Sequence, residues 1–160
     1  MQFPAPPLIA VATGIVGSAW ASGAIVTFSI SAAAATKAVS DATTAAQVWC
    51  ELYARGSNVM PKVAVTVALS YAYAAYDVFG RGGRWVGFAA AACSILSIVP
   101  FTLTAMKKTN AELHQATVDT PDAARVSSLI DTWVSLNFAR GLLPLIGTVL
   151  GIQSFLENTL

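Results

Sequence analysis

The chain has 160 residues, 56% of them hydrophobic and 11% charged, with a net charge of +1 at pH 7. A soluble domain carries about 25% charged residues, so this composition excludes an ordinary water-facing surface and calls for an exterior solvated by lipid tails. The balanced charge, with Lys107-Lys108 as the longest basic run, also excludes a nucleic-acid partner, which needs clustered Lys and Arg.

The length fits a single domain, residues 1–160. The first 36 residues carry no charged side chain. A secretory signal needs a basic leading segment and a short apolar core, so this stretch is read as a retained membrane span. Pro4, Pro6 and Pro7 place the helix start after them, and the first span is expected over residues 8–30. Gly14, Ser18 and Ser22 stand at i, i+4 and i+8, a stripe of small residues that lets another helix come close in lipid.

Residues 36–61 are polar. Within them the spacing predicts an amphipathic helix over 41–55, with Asp41 at its start and Ala45, Val48, Trp49 and Leu52 on one apolar stripe. Gly56 reads as its stop, and Pro61 as the first residue of the next helix. The second span is expected over 63–79, ending in Tyr71, Tyr73 and Tyr76 as interfacial aromatics. A glycine-rich turn, 80–84, leads to the third span, 85–106, in which Pro100 should kink the helix. Thr120, Pro121 and Asp122 then spell a helix start. The fourth span is expected over 136–156, with Pro144 as a bend. The fold class is all-α: an integral membrane four-helix bundle with an amphipathic helix in its first long loop. Four crossings put both termini on one side, and the long loops, which carry most of the Lys and Arg, fall on the cytoplasmic side by the positive-inside rule.

Trp133, Asn137 and Arg140 stand at i, i+4 and i+7, one face of a helix. An Arg at the edge of an apolar span either snorkels to the headgroups or faces the bundle interior. Asn137, one turn before it on the same face, favours an inward polar site. Asn110 and His114 are i, i+4 if the third helix continues that far, and His114 is the side chain whose ordinary titration range suits proton transfer near neutral pH. Its plainer reading is a surface or capping residue. Cys50 and Cys93 are read as free thiols, no Cys/His spacing suggests a metal, and a single His supplies at most one haem ligand.

Four pieces of this sequence resemble the fungal anthrone oxygenase family and its wider group of small four-span membrane proteins: the small-residue first span, and three more specific pieces that follow it in order. Trp49, Tyr53, Gly56 and Pro61 lie in the first loop. Pro100-Phe101-Thr102, Met106, Thr109-Asn110 and Leu113 close the third span. Trp133, Asn137 and Arg140 open the fourth. The resemblance implies oxidation of a polyketide anthrone to an anthraquinone by dioxygen, with no dedicated cofactor and no metal. It implies Asn110, Asn137 and Arg140 as catalytic residues and Trp49, Tyr53, Thr109 and Trp133 as substrate-binding ones; His114 is not part of the family pattern and joins the catalytic set on its chemistry alone. The expected partners are a small apolar aromatic substrate, dioxygen and the lipid bilayer, with a homo-oligomer left open. The expected location is the endoplasmic reticulum or another internal membrane. The alternative is a non-enzymatic four-span scaffold or accessory protein of the claudin kind, which the lone Cys50 beside Trp49 disfavours, since claudins pair two cysteines in that loop.

Overall fold

The structure is a computed structural model, and it describes residues 2–119 and 122–160. Among them there is no strand. Helix α1, Ala5–Thr27, runs through a π-helical turn, Phe28–Ala32, into α2, Ala33–Lys37. Helix α3 is Ala42–Gly80. Then come α4, Val86–Leu96, α5, Ile98–Thr104, α6, Lys107–Gln115, and the long α7, Ala123–Thr159. Four helical units are long and apolar enough to cross a membrane: Ala5–Lys37, Ala42–Gly80, Val86–Thr104 and Ala123–Thr159. We keep 8–30, 63–79, 85–106 and 136–156 as the proposed crossing segments within this frame.

Local chemistry explains most of the breaks. Asp41 caps α3 as its sequence suggests, accepting from the Thr44 backbone N–H at 2.7 Å and from the Thr44 hydroxyl at 2.6 Å. Pro100 removes the N–H that would bond one turn back, and the chain breaks at Ser97 between α4 and α5. Asp122 occupies the cap position of α7; Thr120 and Pro121, the rest of that expected start signal, lie outside the described residues.

Helix α1 starts at Ala5, with Pro6 and Pro7 inside its first turn rather than before it, since a proline there gives up only an N–H that has no helical partner; two further expectations need correction. The amphipathic segment does not stop at Gly56, nor does a new helix begin at Pro61: α3 continues through both. Proline inside a helix costs about 3 kcal/mol, and here the packing of the turns on either side of it overrides that cost. The Ser57 carbonyl loses its helical donor as a result, in the stretch where α3 borders the cavity described below. The second correction is Tyr71, which is not interfacial but fully buried inside the bundle, while Tyr73 and Tyr76 face outward.

Tyr71 organises the lower half of the molecule. Its ring is clamped between two glycines: a Cβ on Gly14 would lie 2.6 Å from the ring, and one on Gly151 would lie 2.4 Å from the hydroxyl. The hydroxyl donates to the Gly147 carbonyl at 3.0 Å and bonds the Ser18 hydroxyl at 3.0 Å, which in turn meets Thr148 at 2.9 Å. With no water available in lipid, such hydroxyls must find protein partners. The small stripe on α1 therefore does pack, on α3 and α7.

The two ends of the bundle differ. At one end Arg81 donates to the Gln2 carbonyl at 2.8 Å, and the Arg84 backbone N–H donates to Asn158 at 2.9 Å. Both chain ends and the α3–α4 turn thus share that end. At the other end α2, the first half of α3, α6 and the first half of α7 enclose a second apolar core around Trp49, Met106, Leu113, Ile130 and Trp133. Helix α3 has 39 residues, which at about 1.5 Å each gives about 58 Å. That is nearly twice the roughly 30 Å hydrocarbon thickness of a bilayer, so this second core stands outside the lipid when the lower half crosses it.

Candidate active site

The site forms where the two cores meet. Trp133, Asn137 and Arg140 lie on one face of α7 and turn inward, as their spacing predicts; Asn137 is completely buried. Its amide donates to the Ile25 carbonyl and to the Ser29 hydroxyl, both at 2.9 Å. These acceptors belong to the end of α1 and to the π-helical turn, where the backbone widens. The Asn137 oxygen is left to accept from Arg140 Nη2.

Arg140 Nη1 donates to the Thr102 hydroxyl at 2.9 Å, and Thr102 passes its own proton to the Ile98 carbonyl at 2.7 Å. The guanidinium is therefore fixed by neutral acceptors only. The ion pairs among the described residues use Lys37, Arg81, Arg84, Lys108 and Arg125, not Arg140. Its Nε is buried and without a partner. This is an inward cation, not one that snorkels to the headgroups.

Beside it lies a cavity of about 220 Å³. Arg140, Asn137 and Thr102 make its polar end, Phe28, Tyr53 and Trp133 supply aromatic wall, and the rest is aliphatic apart from the Gly56–Ser57 stretch of α3. Helix α5, which brings Thr102, packs on α7, α4 and α6.

Behind the aromatic wall stands a ring cluster. Trp49 stacks on Tyr53 with ring centres 5.1 Å apart, and meets Trp133 edge-on at 6.0 Å. His114 sits edge-on to both Trp49 and Tyr53, at 5.1 and 5.3 Å. Asn110 and His114 do share a helix, α6, but it is a separate helix after a break at 105–106. The structure places His114 outside the cavity lining, exposed, with Nδ1 3.3 Å from Cys50 Sγ. Thr109 and Asn110 are buried in the second core and do not line the cavity either. Cys50 and Cys93 are free thiols.

The buried polar atoms left without a partner among the described residues are Trp49 Nε1, Asn110 Oδ1, Trp133 Nε1 and Arg140 Nε. Each such atom costs about 1–3 kcal/mol if nothing satisfies it, and such atoms mark places where water or a ligand belongs. All four belong to side chains that the sequence pattern singles out. Two functional positions were not assigned to the site. Ser29 continues the small-residue face of α1, seven residues after Ser22, which is a usable signal. Thr102 stands in the Pro100-Phe101-Thr102 piece that carries the family resemblance, but nothing in the sequence ties its hydroxyl to Arg140.

Comparison with known proteins places these observations in a family. A family model described as anthrone oxygenase matches residues 49–150. Anthrone oxygenase tpcL of Aspergillus fumigatus is 36% identical over 115 residues, covering 70% of this chain and 71% of that protein. Anthrone oxygenase encC of the same fungus is 30% identical, covering 90% and 91%. Monooxygenase hypC of Dothistroma septosporum is 32% identical, covering 66% and 60%. No solved structure matches the chain.

Proposed function

The chain belongs to the anthrone oxygenase family, and we propose that it converts a polyketide anthrone into an anthraquinone with dioxygen, inside the cavity at Arg140. The observation that carries this reading is a guanidinium with no counter-anion at the polar end of an aromatic-walled apolar cavity. A buried cation paired only with neutral groups is poised for an anion, and an anthrone becomes one during reaction. Its central methylene lies between two aromatic rings and opposite a carbonyl. Loss of one methylene proton gives an aromatic enolate whose negative charge rests on that carbonyl oxygen.

Arg140 then stabilises the enolate oxygen, and Asn137 and Thr102 hold Arg140 in place. Such a donor is worth more in a dry site than in water, because the surroundings need not reorganise. The enolate is electron-rich enough to pass one electron to dioxygen, and the two radicals combine at the former methylene carbon. Loss of the second methylene proton with cleavage of the O–O bond leaves the new carbonyl and water. Substrate and dioxygen supply all the electrons, so no dedicated cofactor enters the scheme. Tyr53, Trp133 and Phe28 hold the flat tricycle. A greasy substrate partitions into lipid, which accounts for a membrane setting; the endoplasmic reticulum or another internal membrane is the proposed location.

The test is direct. Purified protein in detergent, given an anthrone in aerated buffer, should form the quinone and consume one dioxygen per quinone, well above the rate in buffer alone. Folded protein that leaves the spontaneous rate unchanged contradicts the proposal.

A further inference from the structure

Oxidising an anthrone needs a group that touches the substrate and takes a proton. His114 has suitable chemistry but no access: it lies behind the aromatic wall with Nδ1 turned to Cys50. The titratable side chains that line the cavity are Tyr53 and Arg140, and Arg140 is a cation with no basic lone pair to offer. Tyr53 is therefore the cavity-lining group left to accept a proton. We infer that Tyr53 takes the methylene proton from the substrate and later returns it to the bound peroxide. This rests on the reading of the cavity as an anthrone site.

Three observations support the assignment. First, the Tyr53 ring is immobilised: it stacks on Trp49 with 21° between the planes, and His114 braces its edge. A group so held has little freedom to lose when it reacts. Second, Tyr53 and Arg140 line the same cavity, so a negative charge formed on the Tyr53 oxygen shares that cavity with a cation. The charged and titratable groups around Tyr53 are Arg140 on α7, His114 on α6 and Cys50 on α3 itself, and no carboxylate among the lining residues opposes a phenolate. Third, donor and acceptor are of one chemical kind. The anthrone enolate is itself a phenolate, so transfer from the methylene to the Tyr53 oxygen exchanges one phenolate for another. General-base catalysis works best when donor and acceptor are matched in this way.

The steps balance. The Tyr53 phenolate takes a proton from the methylene, giving the Tyr53 phenol and the enolate. One electron passes from the enolate to dioxygen, and the resulting carbon radical and superoxide form a C–O bond, leaving a peroxide anion. The Tyr53 phenol protonates that anion and becomes a phenolate again. The same phenolate removes the second methylene proton; the C–H pair becomes the carbonyl bond, the O–O bond breaks, and the departing hydroxide takes the proton from Tyr53 as water. Two hydrogens leave the carbon, one oxygen atom joins it, the other leaves as water, and Tyr53 ends as it began.

Proton removal can be read without oxidation. In D2O under nitrogen, wild-type protein should catalyse exchange of the anthrone methylene protons for deuterium. Tyr53→Phe keeps the ring and loses the hydroxyl. It should lower both anaerobic exchange and aerobic quinone formation by about 10²–10⁴-fold, while affinity for the product anthraquinone, read by quenching of tryptophan fluorescence, stays near wild type. Exchange that survives Tyr53→Phe but falls with His114→Ala overturns the inference and returns proton transfer to the imidazole. Loss of exchange in proportion to lost anthraquinone affinity also overturns it, because Tyr53 is then only a wall. Wild-type exchange that Tyr53→Phe abolishes, without any oxidation, upholds Tyr53 and removes the oxygenase reading. Oxidation by wild type and Tyr53→Phe at equal rates does the reverse.

Discussion

Arg140 concentrates the chemistry of the site in one side chain, and its neighbours show how. Its two terminal nitrogens are taken by Asn137 and Thr102, which fix the plane of the guanidinium, while its Nε is buried without a partner. Removing the side chain in Arg140→Ala should lower quinone formation by about 10²–10³-fold, the usual loss for one oxyanion-stabilising donor. Arg140→Lys keeps the charge without the fork and should recover only part of the rate; steady-state kinetics on folded variants checks both. Asn137→Ala strips acceptor from Arg140 and donor from the Ile25 carbonyl and Ser29. Each buried group left unpaired costs about 1–3 kcal/mol, so this variant should melt earlier in the same detergent as well as turn over more slowly. At the other end of α3, the Thr44 hydroxyl and then its backbone N–H hold the exposed Asp41 carboxyl below its ordinary value of 3.8. The cap therefore supports α3 fully above that value and is lost as pH falls through the lowered one. Asp41→Ala should remove that step from an acid titration of helicity. Trp133, Asn137 and Arg140 were legible because helical spacing alone puts them on one face. Ser29 and Thr102 were not, because which hydroxyl meets Arg140 or Asn137 depends on how α1 and α5 cross α7, and local sequence does not encode a crossing.

Helix α3 shows how packing decides where a helix ends. Gly56 and Pro61 are both helix breakers by local preference, yet neither breaks it, and the amphipathic segment and the second apolar stretch become one rod. The same residue type has opposite roles along the chain. Nothing lies within 4 Å of a Cβ built on Gly56, so Gly56→Ala should raise stability by about 0.5–1 kcal/mol through chain entropy. At Gly151 the added carbon meets the Tyr71 hydroxyl, so Gly151→Ala should lower it by about 1–3 kcal/mol by overpacking. Thermal unfolding of the two variants side by side in one detergent checks the contrast. The break near Pro100 was readable because proline acts on its own turn. The burial of Tyr71 was not, since a tyrosine at a span end suits an interface equally well. Its inward turn comes from glycines on two other helices that leave it room, and the hydroxyls of Ser18 and Thr148 that answer its own.

At the scale of the whole molecule, composition alone gave the class: few charges, long apolar runs and an all-helical chain with four helices fit to cross a membrane. The two-tier build was not visible, because the second core is assembled from segments that read separately as loop, cap and extension. It matters for function. The cavity lies where the long helices pass from the lower core to the upper one, and its lining includes the exposed apolar side chains of Val99 and Leu103. An apolar tricycle dissolved in the bilayer meets an apolar rim there before it meets Arg140. Both chain ends lie at the opposite end of the bundle, so reporters fused to the two termini should read out on the same side of the membrane, and opposite readings contradict the four-crossing arrangement. The account depends most on the cavity being the place where the tricycle and Arg140 meet. A crystal structure grown in lipid with the product anthraquinone bound measures that. It should show the rings between Tyr53 and Trp133 with a carbonyl oxygen about 3 Å from an Arg140 nitrogen. Anthraquinone seated elsewhere, with the cavity empty of it, contradicts the account.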